Sequence, residues 1–153
     1  MKRLTTLVLA IVMTLLLSAC GIKGKEIVYI ESYEWKMRSV MSNDAELTED
    51  ELVVAVGQSD ELYPNAKVVD MILTANGGEI TLTDVTNSKT YAGTYKLTEE
   101  TSKSATYEMV IDNITGNATI TITEHLGNRL TPTLPIVLGD YTVYFLSNET
   151  DAN

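Results

Sequence analysis

Val69-Asp70-Met71-Ile72-Leu73-Thr74-Ala75-Asn76-Gly77-Gly78-Glu79-Ile80-Thr81-Leu82-Thr83 is the stretch that decides the fold. Val69, Met71, Leu73 and Ala75 fall on one side of an extended chain, and Asp70, Ile72 and Thr74 on the other. Ile80 and Leu82 then oppose Thr81 and Thr83. A side-chain period of two marks a half-buried strand, because successive Cβ atoms of an extended backbone point to opposite faces. Asn76-Gly77-Gly78 tolerates positive φ, so the two runs read as a hairpin.

The same alternation continues on both sides. Upstream, Tyr33, Trp35, Met37, Ser39 and Met41 share one face, against Glu34, Lys36 and Arg38. Downstream of a turn at 86–89, Tyr91, Gly93, Tyr95 and Leu97 oppose Thr94 and Lys96. A polar loop is expected over 98–105. Tyr107, Met109 and Ile111 oppose Glu108, Val110 and Asp112, and 113–117 reads as a turn. Ile120 and Ile122 oppose three threonines, and 126–129 turns the chain again. Leu134, Ile136 and Leu138 form the next face, Gly139-Asp140 a tight turn, and Tyr141, Val143 and Phe145 the last face. Thr is concentrated on the outer faces, where a β-branched hydroxyl suits a wet sheet surface.

Leu47–Gly57 carries two signals. Thr48-Glu49-Asp50-Glu51 is a capping-box pattern, whereas Leu52–Val56 is a short β-prone run. The apolar run of five residues favours a strand, and a helix start at Thr48 stays open as the alternative. The count is about eight strands with short connections, an all-β antiparallel meander. Eight strands alternating in and out can close into an up-and-down barrel, which removes exposed edges. An open β-sandwich is the alternative. Pro132 and Pro135 predict a bulge or an edge in their strand.

The chain has 153 residues, with 11 Lys and Arg against 21 Asp and Glu, one His and one Cys. That length fits one domain. A formal charge of −10 excludes nucleic acid as a partner, since phosphate binding needs clustered cations. One Cys excludes an internal disulfide or a multi-cysteine zinc site, and one His a His-pair metal site.

Met1-Lys2-Arg3, the apolar run from Leu4 to Leu17 and the small residues that follow make a secretory signal, too short for a membrane span. Leu17-Ser18-Ala19-Cys20 resembles the lipobox of bacterial prolipoproteins. The resemblance implies diacylglycerol on the Cys20 thiol and cleavage between Ala19 and Cys20. It implies a protein anchored on the extracytoplasmic face of the cell membrane. The expected organisation is a signal helix and peptide over 1–19, a lipid-anchored tether over 20–26, a barrel over 27–147 and a polar tail over 148–153. Loss of Lys2 and Arg3 with the signal leaves 134 residues and a side-chain charge of −12. That charge repels an anionic bilayer within about a Debye length and keeps the domain off the surface. A monomer is expected.

Gly93-Thr94-Tyr95-Lys96, the Thr133-Leu134-Pro135 run, the closing Gly139–Phe145 segment and the early Trp35 are similar to small, uncharacterised lipocalin-like lipoproteins of Gram-positive bacteria. This resemblance implies a barrel and a small apolar ligand, with no catalytic residues.

Signals for catalysis are thin. No Gly-Xaa-Ser-Xaa-Gly elbow, P-loop or His-Glu-Xaa-Xaa-His is present. His125, beside Glu124 and four residues before Arg129, reads as a strand-end histidine, with an acid–base pair as the sharper alternative. No enzyme and no cofactor is expected. Asp44, Glu46, Glu49, Asp50 and Glu51 lack EF-hand spacing, so they read as a solvated acidic loop and no metal site is expected. The inward set Tyr33, Trp35, Met37, Met71, Leu73, Tyr91, Tyr95, Tyr107, Met109 and Phe145 is rich in aromatics and Met. Such a set either lines a ligand cavity or simply packs a core. Two functions follow as expectations: a non-catalytic binding barrel for a small apolar molecule, or an envelope protein-interaction or protective module that uses the acidic 42–62 segment.

Overall fold

A computed structural model describes residues 27–43, 47–58, 62–121, 124–125, 128–129 and 131–148. The expected signal helix, the cleavage site at Ala19, Cys20 and the tether lie outside these residues. Among the described residues a 3-10 turn, Ile30–Ser32, leads into twelve strands. They are β1 Glu34–Ser42, β2 Val53–Ala55, β3 Lys67–Val69, β4 Met71–Asn76, β5 Glu79–Asp84 and β6 Lys89–Glu100. There follow β7 Ser104–Ile111, β8 Ile114–Thr121, β9 Glu124–His125, β10 Asn128–Arg129, β11 Thr133–Leu138 and β12 Tyr141–Asn148.

Eight of these strands, β1, β4 to β8, β11 and β12, are neighbours in chain order, and β12 returns to pair with β1. Every contact around this ring is antiparallel. The molecule is therefore a closed up-and-down barrel and not an open sandwich. Only the start of β1 pairs with β4, at Trp35–Leu73 and Lys36–Ile72; further along, Ser39 and Val40 pair with β2 instead. β3 runs parallel to β2 and feeds β4 through a single residue, Asp70. β2 and β3 thus fill the wedge where β1 and β4 part.

The two ends of the barrel differ. At one end the 3-10 turn plugs the lumen with Ile30, which is fully buried. The other end, the mouth, is rimmed by the β5–β6, β7–β8 and β11–β12 turns. The β4–β5 turn has positive φ at both Gly77 and Gly78, the hairpin geometry expected of that pair. The β7–β8 turn is tighter than 113–117: it is Asp112-Asn113, both at positive φ, and β8 already starts at Ile114. Short Asx side chains tolerate that region.

Four further expectations are corrected. The 98–105 loop is mostly strand, since β6 runs to Glu100, and only 101–103 turns the chain. A bulge between Met37 and Ser39 reverses the faces of β1, so Val40 faces Val143 while Met41 is half exposed on the outside. Pro135 lies in an interior strand: its ladder to β12 is continuous, but the pairing with β8 skips from Thr133 to Ile136. A proline has no N–H to give to one neighbour, and the barrel absorbs the gap locally. Asn148, assigned to the tail, closes the β1 ladder opposite Glu34. The stretch around 48–56 is one capped turn followed by β2. Thr48 donates through N–H and Oγ to Glu51 Oε2 at 3.0 and 2.8 Å, and Leu52 N–H returns to Thr48 O.

Candidate functional site

All ten residues singled out as an inward set face the core, where they form one contiguous cluster. Their burial is graded. Trp35, Leu73, Tyr107, Met109, Met37 and Phe145 are at most 3% exposed. A side chain lining a water-sized void would keep accessible surface, so the wall around these six is packed against itself. Tyr33, Met71, Tyr91 and Tyr95 are half-buried.

Trp35 and three tyrosines clasp the plug. The Trp35 indole N–H donates to Ile30 O at 2.7 Å, and Ile30 N–H donates to the Tyr107 hydroxyl at 3.2 Å. Tyr95 donates to Glu31, which also accepts from Gly77 N–H at 3.0 Å, and Tyr29 donates to Glu100 at 3.0 Å. Tyr33 meets Trp35, and Tyr95 meets Tyr107, edge to face at 5.7 and 5.8 Å. Burial is the main cause that pushes the Tyr107 and Tyr95 hydroxyls above the ordinary phenol range, helped at Tyr95 by the bond to Glu31. These phenols are neutral fastenings. Trp35, Tyr95 and Tyr107, which look like ligand lining from the sequence, therefore fasten the closed end.

The mouth is different. Val40, Val53, Met71, Tyr91, Leu138 and Val143 pack on the core cluster but remain half-buried. Beside them lies Asp84, a buried acid at the end of β5 on the face of Ile80 and Leu82. Both of its oxygens are occupied: Asn87 donates to them through Nδ2 at 2.8 Å and through its backbone N–H at 2.9 Å. These donors, with smaller contributions from Lys89 and Lys67, hold the Asp84 carboxyl below its ordinary range. Sequence reasoning passed over Asp84, Lys67 and Lys89. The alternation that placed Ile80 and Leu82 inward also places Asp84 inward, so the signal was there.

The remaining candidates converge on nothing comparable. Glu49, Asp50 and Glu51 are exposed on the turn before β2, with Glu49 bound by Asn65 at 3.4 and 3.3 Å. The expected acids at 44 and 46 lie outside the described residues. No group of three or more potential metal ligands occurs among the described residues. His125 pairs in backbone register with Asn128, and Glu124 with Arg129, in the small β9–β10 hairpin. On the outer wall an open groove of about 580 Å³ crosses β6, β7, β8 and β11, bordered by Thr94, Lys96, Glu108 and Asn117. Its polar groups stand in rows along the strands and do not converge on a point. No helix among the described residues is long and apolar enough to cross a membrane. No family model, curated protein or solved structure matches the chain.

Proposed function

We propose that this protein is a lipoprotein anchored through diacylglycerol on Cys20 to the extracytoplasmic face of a bacterial membrane, and that its barrel binds a small apolar molecule without catalysis. The observation that supports binding is the gradient of burial along the inner wall. The middle of the wall is packed, whereas the apolar residues of the mouth keep accessible surface, and the proposed ligand lies against them. Residue 27 enters the barrel beside the plug. The proposed anchor at Cys20 therefore joins the domain on the side of its closed end. A seven-residue tether reaches at most about 25 Å when fully extended.

Native mass spectrometry of the mature chain, purified from cells that process it, tests the binding half of this reading. A retained apolar molecule, lost in Tyr91→Ala and Met71→Ala variants that still fold, is expected. An empty barrel that also takes up no apolar dye would overturn it. Metabolic labelling with a fatty acid tests the anchor: the label enters the wild-type chain and is absent from Cys20→Ser. Equal labelling of both would remove the anchor from the proposal.

A second reading has one observation behind it. The Thr48–Glu51 cap and the Asn65–Glu49 bonds hold exposed acids in a fixed turn, a preorganised surface for a cationic envelope protein. Neutralising Glu49, Asp50 and Glu51 together should abolish a salt-sensitive pull-down, and an unchanged pull-down would discard the reading.

A further inference from the structure

The plug is fastened to a turn with a reactive sequence. Asn76 is followed by Gly77, and no other Asn of the chain precedes a Gly. In that pair the backbone nitrogen of the second residue can attack the asparagine side chain, because Gly has no Cβ to obstruct the ring that forms. Both residues are exposed in the β4–β5 turn, and a Cβ at Gly77 would meet nothing within 4 Å, so space for the ring is open. Asn87, in the next hairpin turn, differs: its Nδ2 is tied to Asp84 and Ser88 follows it. What holds the Asn76 turn back is the plug. The attacking atom, the Gly77 nitrogen, donates its N–H to Glu31 Oε1 at 3.0 Å, and the Tyr95 hydroxyl donates to the same oxygen. Attack requires that N–H to lose its proton, and a carboxylate beside it disfavours the anion that would form. Residues 27–33, which carry Glu31, precede β1 and enter no strand ladder. Side-chain bonds and the burial of Val28 and Ile30 hold them, so they open more readily than a paired strand does.

We propose that Asn76 is a deamidation site guarded by Glu31 of the plug. When Glu31 withdraws, hydroxide takes the Gly77 N–H proton and the nitrogen attacks Asn76 Cγ. The N–Cγ bond forms, the Cγ–Nδ2 bond breaks, and Nδ2 takes a proton from water and leaves as ammonia. A second water then opens the cyclic imide at either carbonyl, giving aspartate or isoaspartate at position 76. Both products carry a new carboxylate opposite Glu79 in the β4–β5 ladder, where like charges repel. The same carboxylate adjoins the Gly77 N–H that Glu31 must reach to refasten. Isoaspartate also inserts an extra backbone carbon at the turn. Modification therefore opposes reclosure, which turns a reversible opening of the plug into a one-way event. The inference does not depend on what the mouth binds.

The chain, purified from cells that express it, is held at pH 7.5 for days, folded or in urea. Digestion and mass spectrometry read conversion in the peptide that contains Asn76, and enzymatic methylation of isoaspartate reads the isomer. The parent should convert slowly when folded and rapidly in urea. Glu31→Ala should convert at least about tenfold faster than the folded parent, the effect of losing a hydrogen bond to a charged acceptor. Glu31→Gln keeps an acceptor without the charge and should fall between the two. Amide exchange in β7 checks that each variant is folded; if Glu31→Ala is not, the comparison passes to Glu31→Gln, which must still outpace the parent. Asn76→Asp, one of the two products, should speed amide exchange at Ile30 and leave β7 unchanged. Equal conversion in the folded parent and the Glu31 variants would overturn the guard. Folded chains that all stay unmodified while the parent in urea converts would overturn the site itself. Unchanged protection of Ile30 in Asn76→Asp would overturn the one-way opening.

Discussion

Trp35→Phe asks whether the conspicuous tryptophan of β1 fastens the plug or lines a ligand site. Trp35 is fully buried, and its indole N–H meets Ile30 O at 2.7 Å. Phenylalanine keeps an aromatic ring opposite Leu73 but removes the donor, leaving the Ile30 carbonyl buried without its partner. Stranding a buried acceptor costs about 1–3 kcal/mol. The ring is also smaller by roughly 40 Å³, and at about 24 cal/mol per Å³ of residual cavity this adds about 1 kcal/mol. The expected loss is about 2–4 kcal/mol, or a melting temperature lower by roughly 10 °C for a domain of this size. Urea unfolding followed by far-UV circular dichroism measures it without depending on the indole. The midpoint should fall with an unchanged slope, since the same surface is exposed. The plug should loosen first, visible as faster amide exchange at Ile30 and Ser32 than in β7. A loss under about 0.5 kcal/mol, with Ile30 still protected, would refute the latch and return Trp35 to the role of lining.

Other outcomes follow from the same geometry. Gly116→Ala should destabilise by about 2–3 kcal/mol, because the added methyl would stand 2.5 Å from Val137 O and 2.6 Å from Leu138 Cδ2, and a backbone oxygen cannot retreat as a side chain can. Thermal melts should show a larger loss there than for Gly139→Ala, where the φ of +58° is strained but nothing lies within 4 Å. At acid pH, the depressed carboxyl of Asp84 contributes stability that is present above the unfolded value of about 4 and is lost as pH falls through the folded value below it. Asp84→Asn should flatten the stability curve of the parent below pH 4. At alkaline pH the sign reverses: the raised hydroxyls of Tyr95 and Tyr107 stabilise the fold below pH 10 and lose that contribution as pH rises beyond it. Tyr107→Phe should remove part of the alkaline slope, read by urea midpoints between pH 9 and 12.

The barrel was legible because most of its strands alternate: Ile80 and Leu82 against Thr81 and Thr83, or Tyr107, Met109 and Ile111 against Glu108 and Val110, permit one burial pattern. What escaped has local causes. Thr98–Glu100 is polar on both faces and carries no period, so nothing in it signals a strand; its pairing with β7 supplies the order. The bulge after Met37 is a register event against β12 that no single strand encodes, and it reversed Val40 and Met41. Leu97 and Tyr141 keep inward parity, yet both are exposed. The latch was illegible because it joins residues distant in sequence. Ile30 meets Tyr107 across 77 positions, and Glu31 meets Tyr95 across 64. Asp84 was missed for a different reason: an acid on an inward parity position reads as the end of a strand, and the Asn87 cap that makes it tolerable appears only once the turn is folded.

The packed interior also limits what the mouth can do. An eight-stranded barrel is just wide enough to be filled by its own side chains. Trp35, Tyr107 and Phe145 take that space here, so a ligand bound as proposed has its chain covered over only part of its length. If roughly six methylenes are buried at about 0.8 kcal/mol each, the chain contributes about 5 kcal/mol. That corresponds to a dissociation constant of a few tenths of a millimolar before the costs of association are counted. Apolar contact alone would leave such a site weak and indifferent to chain chemistry. A shallow cup and a deep cup make opposite predictions for chain length. In the shallow cup, affinity should stop rising once the chain exceeds the buried length. A series of alcohols from octanol to hexadecanol measures the slope, and an affinity that climbs steadily through sixteen carbons would show that the chain penetrates past Tyr91 into space that Trp35 and Phe145 are assigned here to fill.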